Sequence, residues 1–437
     1  MQNEGNQPLL DGKAMTWAQV IVVAITIALN ALDGFDVLSI SFASPGIAKQ
    51  WGIERTALGF VLSMELIGMA IGSVALGRAG DRFGRRPTAL FSLALMTIGM
   101  FMVSNASGLT DLCIWRVMTG LGIGGMLAVT NAIVSEVSSA RHRSLCVSLM
   151  VIGYPIGAVL GGMVTANLLK SHDWRAIFDF GAICTAIMIP LVWLLVPETP
   201  GFIIAKRASG ALEKLNRTLA KLGHQPVAEL PPAPAQTIGQ SFMALFAPGL
   251  ARNTILLTIA YFTQIISFYF ILKWTPKIVV DMGFDPSSAG GVLVWANVGG
   301  ALGGATFGLA TRFISLKLTS LLALVASACM IVVFGQSSAD LHTLAMLAGI
   351  GGFCTNAAMV GLYNLAAVTF PTELRSSGTG FTIGVGRGGA VLGPPLAGAL
   401  FESGYSLPMV AGVMALGSVA ALLAVAGLKV SAPYSTE

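Results

Sequence analysis

The chain has 437 residues, 55% of them hydrophobic and 10% charged, with a formal net charge of +5 and a mean hydropathy of +0.79. A soluble domain carries about 25% charged residues, and a soluble fold could not hide this much apolar surface. The composition therefore excludes a soluble protein. The basic excess does not indicate nucleic acid as a partner, because Lys and Arg fall in loops between apolar runs and form no aromatic-interleaved patch.

Residues 1–16 are polar and carry no signal-peptide pattern. A membrane span needs about 20 mostly apolar residues. Twelve such runs follow, at about 17–43, 56–77, 88–107, 110–135, 145–169, 175–196, 254–276, 287–309, 316–335, 341–369, 377–401 and 405–428. The expectation is an all-α membrane protein lying in a lipid bilayer. It has twelve transmembrane helices in two six-helix halves, residues 1–197 and 253–437. A polar segment, 198–252, joins them; it holds Lys206, Arg207, Lys214, Arg217, Lys221 and the Pro-rich ELPPAPAQ, and reads as a linker with room for one surface helix. Lys and Arg concentrate in one alternate set of loops: Lys13, 78–86, Arg141, Arg143, the linker, Arg312, Lys317, Arg375 and Lys429. That asymmetry predicts both termini and the linker in the cytoplasm. The cysteines Cys113, Cys146, Cys184, Cys329 and Cys354 have neither metal nor redox spacing and read as packing residues.

The two halves align at an offset of 231 residues, which puts Pro45 on Pro276, Gly52 on Gly283, Gly59 on Gly290, Gly68 on Gly299, Gly72 on Gly303 and Gly77 on Gly308. GAVLG at 157–161 recurs at 389–393, and GIGG at 122–125 recurs at 349–352. A register held this long indicates a duplicated unit. Glycines four apart, as in Gly68/Gly72, Gly120/Gly124 and Gly153/Gly157, let helix backbones approach closely. Asp33 falls on Gln264 and Asp36 on Ser267, so the first-span carboxylates have no acidic counterpart in the second half.

Ionisable side chains inside spans are functional candidates, because hydrocarbon tolerates them only with a partner. Those singled out are Asp33, Asp36, Glu65, Arg116, Glu136 and Arg387. Asp33 and Asp36 are one turn apart on nearly one face, at a depth that Arg116 in the antiparallel fourth span matches. Two carboxylates so placed cannot easily both ionise, which makes a proton carrier; the alternative is a fixed Asp–Arg pair joining spans 1 and 4. Arg387, midway along span 11, can grip a carboxylate in bidentate fashion or serve as partner to an acid across the cavity. Glu136, Asp81, Arg82, Arg85, Arg86, Arg141 and Arg375 lie at cytoplasmic ends, where conformational control is expected, with Glu136 pairing Arg82 or Arg85. Glu65 reads equally as a second proton site or a polar helix contact. An apolar slot for a ring would draw on Phe35, Asn131, Tyr154, Tyr261, Gln264, Phe268, Trp295, Asn297, Asn356 and Tyr363, each of which can instead be packing.

GRAGDRFGRRP at 77–87 resembles the signature between helices 2 and 3 of the major facilitator superfamily, with Gly77, Asp81, Arg82, Gly84, Arg85 and Arg86 in place. Its second-half echo, GLATRFISLK at 308–317, keeps Gly308 and Arg312 and loses the acid. Arg116, Gly120 and Gly122 resemble the superfamily's helix-4 pattern. Asp33-Gly-Phe-Asp36 followed by Pro45, together with Arg387, resembles the aromatic acid:proton symporter family.

The resemblance implies proton-coupled import of a benzoate-type acid such as benzoate, 4-hydroxybenzoate or protocatechuate. It implies alternating access, Asp33 and Asp36 in proton coupling, and Arg387 with Arg116 on the carboxylate. The coupling ion is the proton, no other cofactor is expected, and monomers are usual in the superfamily. cis,cis-Muconate or another small dicarboxylate is the alternative cargo, and drug or metabolite export the alternative direction. No nucleophile–base pair, metal cluster or nucleotide loop lies within the spans, so an enzyme is not expected.

Overall fold

A computed structural model describes residues 15–231, 242–371 and 374–428. Twelve helices of 20 residues or more account for the predicted spans: α1 (Trp17–Trp51), α2 (Arg55–Phe83), α3 (Arg85–Ser104), α4 (Leu109–Val137), α5 (Ala140–Leu168), α6 (Arg175–Leu195), α9 (Ala251–Asp281), α10 (Pro286–Ala310), α11 (Leu316–Gly335), α12 (Leu341–Thr369), α13 (Arg375–Glu402) and α14 (Leu407–Ala426). Among the described residues of the segment read as linker lie two short α-helices, α7 (Pro200–Lys206) and α8 (Ala211–Lys221), and a 3-10 turn at Phe242–Phe246. α8 is amphipathic and buries Ala211, Leu215 and Leu219 against Ile203 of α7. Among the described residues, eleven helices are long and apolar enough to cross a membrane. The twelfth, α13, has 28 residues, but its glycines, Arg387, Pro394 and Pro395 dilute its hydropathy.

α1 and α9 extend well past the predicted ends and carry Pro45 and Pro276 inside the helix. A proline removes the N–H that would serve the carbonyl four residues earlier. At Pro45 that carbonyl is Ser41's, and the Ser44 hydroxyl donates to it at 2.9 Å. The side chain replaces the missing backbone donor, so the helix runs on.

The chain divides into two compact units. Unit 1 comprises Met1–Val37, Ile67–Leu160 and Arg175–Thr237; unit 2 comprises Leu38–Leu66, Gly161–Trp174 and Ile238–Glu437. These bounds differ from the sequence halves, because the α1–α2 hairpin and the end of α5 are counted with the later helices. Close contacts within unit 2 account for this. A Cβ on Gly59 would stand 2.6 Å from the Pro394 carbonyl oxygen, one on Gly398 2.4 Å from that of Arg55, and one on Gly162 2.6 Å from Val294. Arg55 pairs with Asp281 at 3.2 Å, and the Thr56 N–H donates to Glu402 at 2.8 Å.

The duplicated glycines serve the same purpose in each unit. In unit 1, a Cβ on Gly68 or Gly72 would lie 2.2 Å from the Val117 or Leu121 carbonyl oxygen of α4. In unit 2, Gly299 and Gly303 approach Gly349 and Phe353 of α12 at 1.8 and 2.1 Å in the same sense. Nothing larger than hydrogen fits at these positions. Gly303→Leu is therefore expected to cost upwards of about 1–3 kcal/mol of overpacking and to lose the monodisperse peak in detergent size-exclusion. Gly291→Ala, whose added carbon meets nothing within 4 Å, should run as the wild type.

Candidate functional site

The first cluster lies in unit 1, where α1, α4 and α6 meet. Gly34 sets α1 in place: a Cβ there would lie 2.0 Å from the Tyr154 carbonyl oxygen of α5, and Gly157 meets Ala31 in the same way. Asp33, Asp36 and Arg116 are all fully buried. The Arg116 guanidinium donates to the Asp36 carbonyl oxygen at 3.3 Å and stacks over Phe178 at 5.5 Å. Asp36 lies within electrostatic reach of Cys184 on α6, and Phe35 packs edge-on against Phe180 at 5.5 Å. The depth match read between spans 1 and 4 is present in the structure. Arg116 is sealed inside this cluster and offers no surface to a ligand in this arrangement.

The second cluster lies in unit 2, on α9, α12 and α13. The Tyr261 hydroxyl donates to that of Tyr363 at 2.7 Å, with the rings edge-to-face at 5.4 Å. Gly386 brings α13 against the Tyr261 ring, 2.1 Å from where its Cβ would be. One residue on, Arg387 sits near the middle of α13 and is half-buried. Its charge reaches both Tyr261 and Tyr269. Among the described residues its guanidinium forms neither an ion pair nor a hydrogen bond. Arg387 is thus a half-buried cation with two phenols within electrostatic reach and no ion pair among the described residues.

Sequence reasoning passed over two residues here. Tyr269 is within electrostatic reach of Arg387, Tyr363 and Glu65. Lys273, one turn further along α9, forms an ion pair with Glu65 at 3.7 Å, both side chains being fully buried. Lys273 lies inside the predicted run 254–276, and its charge there was the available signal.

Other predicted ring-site residues are placed elsewhere. Gln264 is buried and donates to Ser327 of α11 at 3.1 Å, and Ser327 in turn bonds Ser418 of α14; its amide therefore serves helix packing. The Asn356 amide lies over Gly300 of α10, 3.1 Å from where a Cβ on that glycine would be. Trp295 is 56% exposed and edges a cleft of about 480 Å³ with Met163, Asn167, Lys170 and Ser288, whose lining does not include Arg387. Asn131 is exposed and bonds its own helix at Leu127. Tyr154 lines the α1–α5 contact. Asn297 likewise bonds its own helix, at Leu293.

The third cluster lies at the start of α3, within unit 1. Arg85 pairs with Asp81 at 2.9 Å and with Glu136 at 3.4 Å, donates to the Gly80 carbonyl at 2.8 Å and lies over Phe202 of α7 at 5.7 Å. Glu136 also abuts Gly201 of α7. Arg86 donates to the Trp193 carbonyl. Arg82 stacks on Phe83 at 5.3 Å, and Arg141 is exposed. Arg375 opens α13, and its side chain lies outside the described residues.

Glu198, which was not anticipated, organises this cluster. Gly84 precedes α3 with φ +116° and offers no side-chain cap. The Glu198 carboxylate fills that place, accepting the N–H of Arg85 at 2.9 Å, of Arg86 at 3.4 Å and of Thr199 at 2.9 Å. An acid at a helix N-terminus satisfies orphan donors and faces the positive end of the dipole.

The chain belongs to the Major Facilitator Superfamily, whose family model matches residues 26–347. It is a multi-pass membrane transporter of that superfamily, and among its members it falls with the aromatic acid:proton symporters. It is 27% identical over 419 residues to the gallate transporter of Pseudomonas putida, covering 95% of this chain and 93% of that one. It is 30% identical over 411 residues to the 3-(3-hydroxy-phenyl)propionate transporter of Escherichia coli, covering 93% of each. In fold it is similar to a D-xylose-proton symporter crystal structure, with a TM-score of 0.73 at 17% identity over 93% of this chain and 97% of that one.

Burial pushes the Glu198 carboxyl above its usual range, against the lowering effect of the three N–H donors and Arg85. With the folded value raised, this group's contribution to stability is full below the ordinary carboxylate pKa and is lost as pH rises through the folded one. The melting temperature of the purified protein, minus that of Glu198→Gln, should fall as pH rises through that window and be flat above it. A difference that rises with pH would mean that the hydrogen bonds outweigh burial. Glu198→Ala should cost about 0.5–2 kcal/mol, as for a lost helix cap.

Proposed function

We propose that the protein imports an aromatic carboxylate together with a proton. The observation that carries this reading is Arg387, a half-buried cation midway along a spanning helix. Among the described residues it has no ion pair, and its charge reaches Tyr261 and Tyr269. Midplane sites between repeats are where duplicated transporters bind substrate. The guanidinium holds the carboxylate in bidentate fashion. The Tyr261–Tyr363 pair offers hydroxyls and ring edges to a hydroxylated ring. Gallate and 3-(3-hydroxyphenyl)propionate, the cargoes named for two relatives, are acids of this kind.

Asp33 and Asp36 take up the proton, and Arg116 keeps the second charge tolerable in the bundle. The Asp81–Arg85–Glu136 cluster, with Glu198, holds the start of α3 and switches with the transport state. In this reading both termini are cytoplasmic, the membrane is the cell's inner one and the protein acts as a monomer. Coupling requires that substrate and proton together shift the balance between the two access states.

Uptake of labelled benzoate, 4-hydroxybenzoate, gallate and cis,cis-muconate into energised vesicles tests the reading, with and without a protonophore. Wild type should accumulate ring acids and lose accumulation with the protonophore. Arg387→Ala should reduce uptake about 10- to 150-fold, the loss of a charged hydrogen bond worth about 1.5–3 kcal/mol. Asp33→Asn should abolish accumulation while leaving substrate exchange across unenergised vesicles. Tyr261→Phe should lower uptake of 4-hydroxybenzoate more than that of benzoate. Uptake confined to muconate would change the cargo, and uptake indifferent to Arg387→Ala would remove the assigned anchor.

A further inference from the structure

The Glu65–Lys273 pair is not used by the substrate or proton assignments above. It joins α2 to α9 inside unit 2, with both side chains fully buried. The internal repeat makes it singular: at the offset of 231 residues Glu65 corresponds to Ala296 and Lys273 to Phe42, so no such pair can form at the related position. It sits within the set of contacts that binds the α1–α2 hairpin to the later helices. That set includes Gly59 against Pro394, Gly398 against Arg55, Arg55 with Asp281, and the Thr56 N–H on Glu402.

Buried ion pairs add little to stability over apolar residues of similar volume, whereas breaking one by removing a single partner is strongly unfavourable. A buried pair of this kind therefore points to a purpose other than stability. In a transporter the hairpin and the later helices must separate at this end for it to open, and water then reaches each charge. Closed, the two charges neutralise one another in a dry interior; open, each is hydrated. An apolar contact could not be satisfied in both arrangements.

We propose that Glu65 and Lys273 form a charged latch that positions the α1–α2 hairpin against α9 and sets the balance between the closed and open arrangements of this end. Removing one partner takes the counter-ion from the other in the closed arrangement only, so it drives opening. Removing both takes the bias away again.

Ser63 supplies a reporter. It is one helical turn from Gly59, on the side of α2 that meets α13, it is fully buried, and cysteine differs from serine there by one atom. The measurement is the rate of maleimide labelling of Ser63→Cys in nanodiscs. Cys113, Cys146, Cys184, Cys329 and Cys354 are replaced by alanine in this background. Labelling should be slow in that background and at least about tenfold faster with Lys273→Met or Glu65→Gln added, equivalent to about 1.4 kcal/mol of shifted balance. It should return to slow in the Glu65→Gln/Lys273→Met double variant and in the charge-swapped Glu65→Lys/Lys273→Glu protein. Where a single variant fails to fold, Glu65→Asp stretches the pair by one methylene and should give an intermediate rate. Equal labelling in wild type, Glu65→Asp and the single variants overturns the latch, as does a double variant that labels as fast as the singles. The readout needs no substrate, so it stands or falls apart from the identity of the cargo.

Discussion

An ionised side chain removed from water inside a spanning bundle must find a compensating group, and this requirement shapes every functional feature of the chain. The idealised cost of moving an ion from water into a medium like dry protein is about 20 kcal/mol, and several kcal/mol remain after relaxation. Arg116 meets it with the Asp36 carbonyl and the Phe178 ring. Lys273 meets it with Glu65. Arg387 is half-buried instead, with the phenols of Tyr261 and Tyr269 within electrostatic reach and without an ion pair among the described residues. The three cations therefore differ in role. Arg116 is closed in the proposed proton-site cluster, Lys273 joins two helices, and Arg387 has no ion pair among the described residues, which is why the proposed function gives it an anion from outside the chain.

The same constraint governs the backbone. Helices that carry prolines within the membrane need another donor for each freed carbonyl, and the Ser44 hydroxyl provides one beside Pro45. Helices that approach within van der Waals contact of a neighbouring backbone need glycine at the crossing, and Gly68, Gly72, Gly299 and Gly303 supply it in matching pairs. These crossings fix α2 on α4 and α10 on α12. Rigid pairs of this kind suit a mechanism in which groups of helices move as bodies.

At the start of α3 the chain solves a third version of the problem. The helix begins after a glycine that cannot cap it, and a carboxylate more than a hundred residues away in sequence accepts its first N–H groups. Arg85 then gathers Asp81, Glu136 and the Phe202 ring around the same helix end. All of these contacts are internal to unit 1. The cluster therefore joins that unit's own helix ends, and Glu136 is tied to Arg85 rather than to Arg82.

Sequence alone determined the membrane class, the twelve helices, the duplication and the family, because hydropathy, glycine register and the 77–87 signature are local or periodic properties. It also singled out Asp33, Asp36, Arg116 and Arg387, since a charge in an apolar run is visible without a fold. Only the tertiary structure decided which way those side chains face and what answers them. It placed Gln264 against Ser327, sent Trp295 to an exposed cleft, and brought Tyr261 onto Tyr363 across 102 residues. It also revealed Lys273 and Glu198 as partners of Glu65 and of the α3 terminus. The helical period places a residue on its own helix, but which neighbour it meets depends on crossings between helices distant in sequence. The repeated glycines mark where a helix can be crossed closely, but not which helix crosses it.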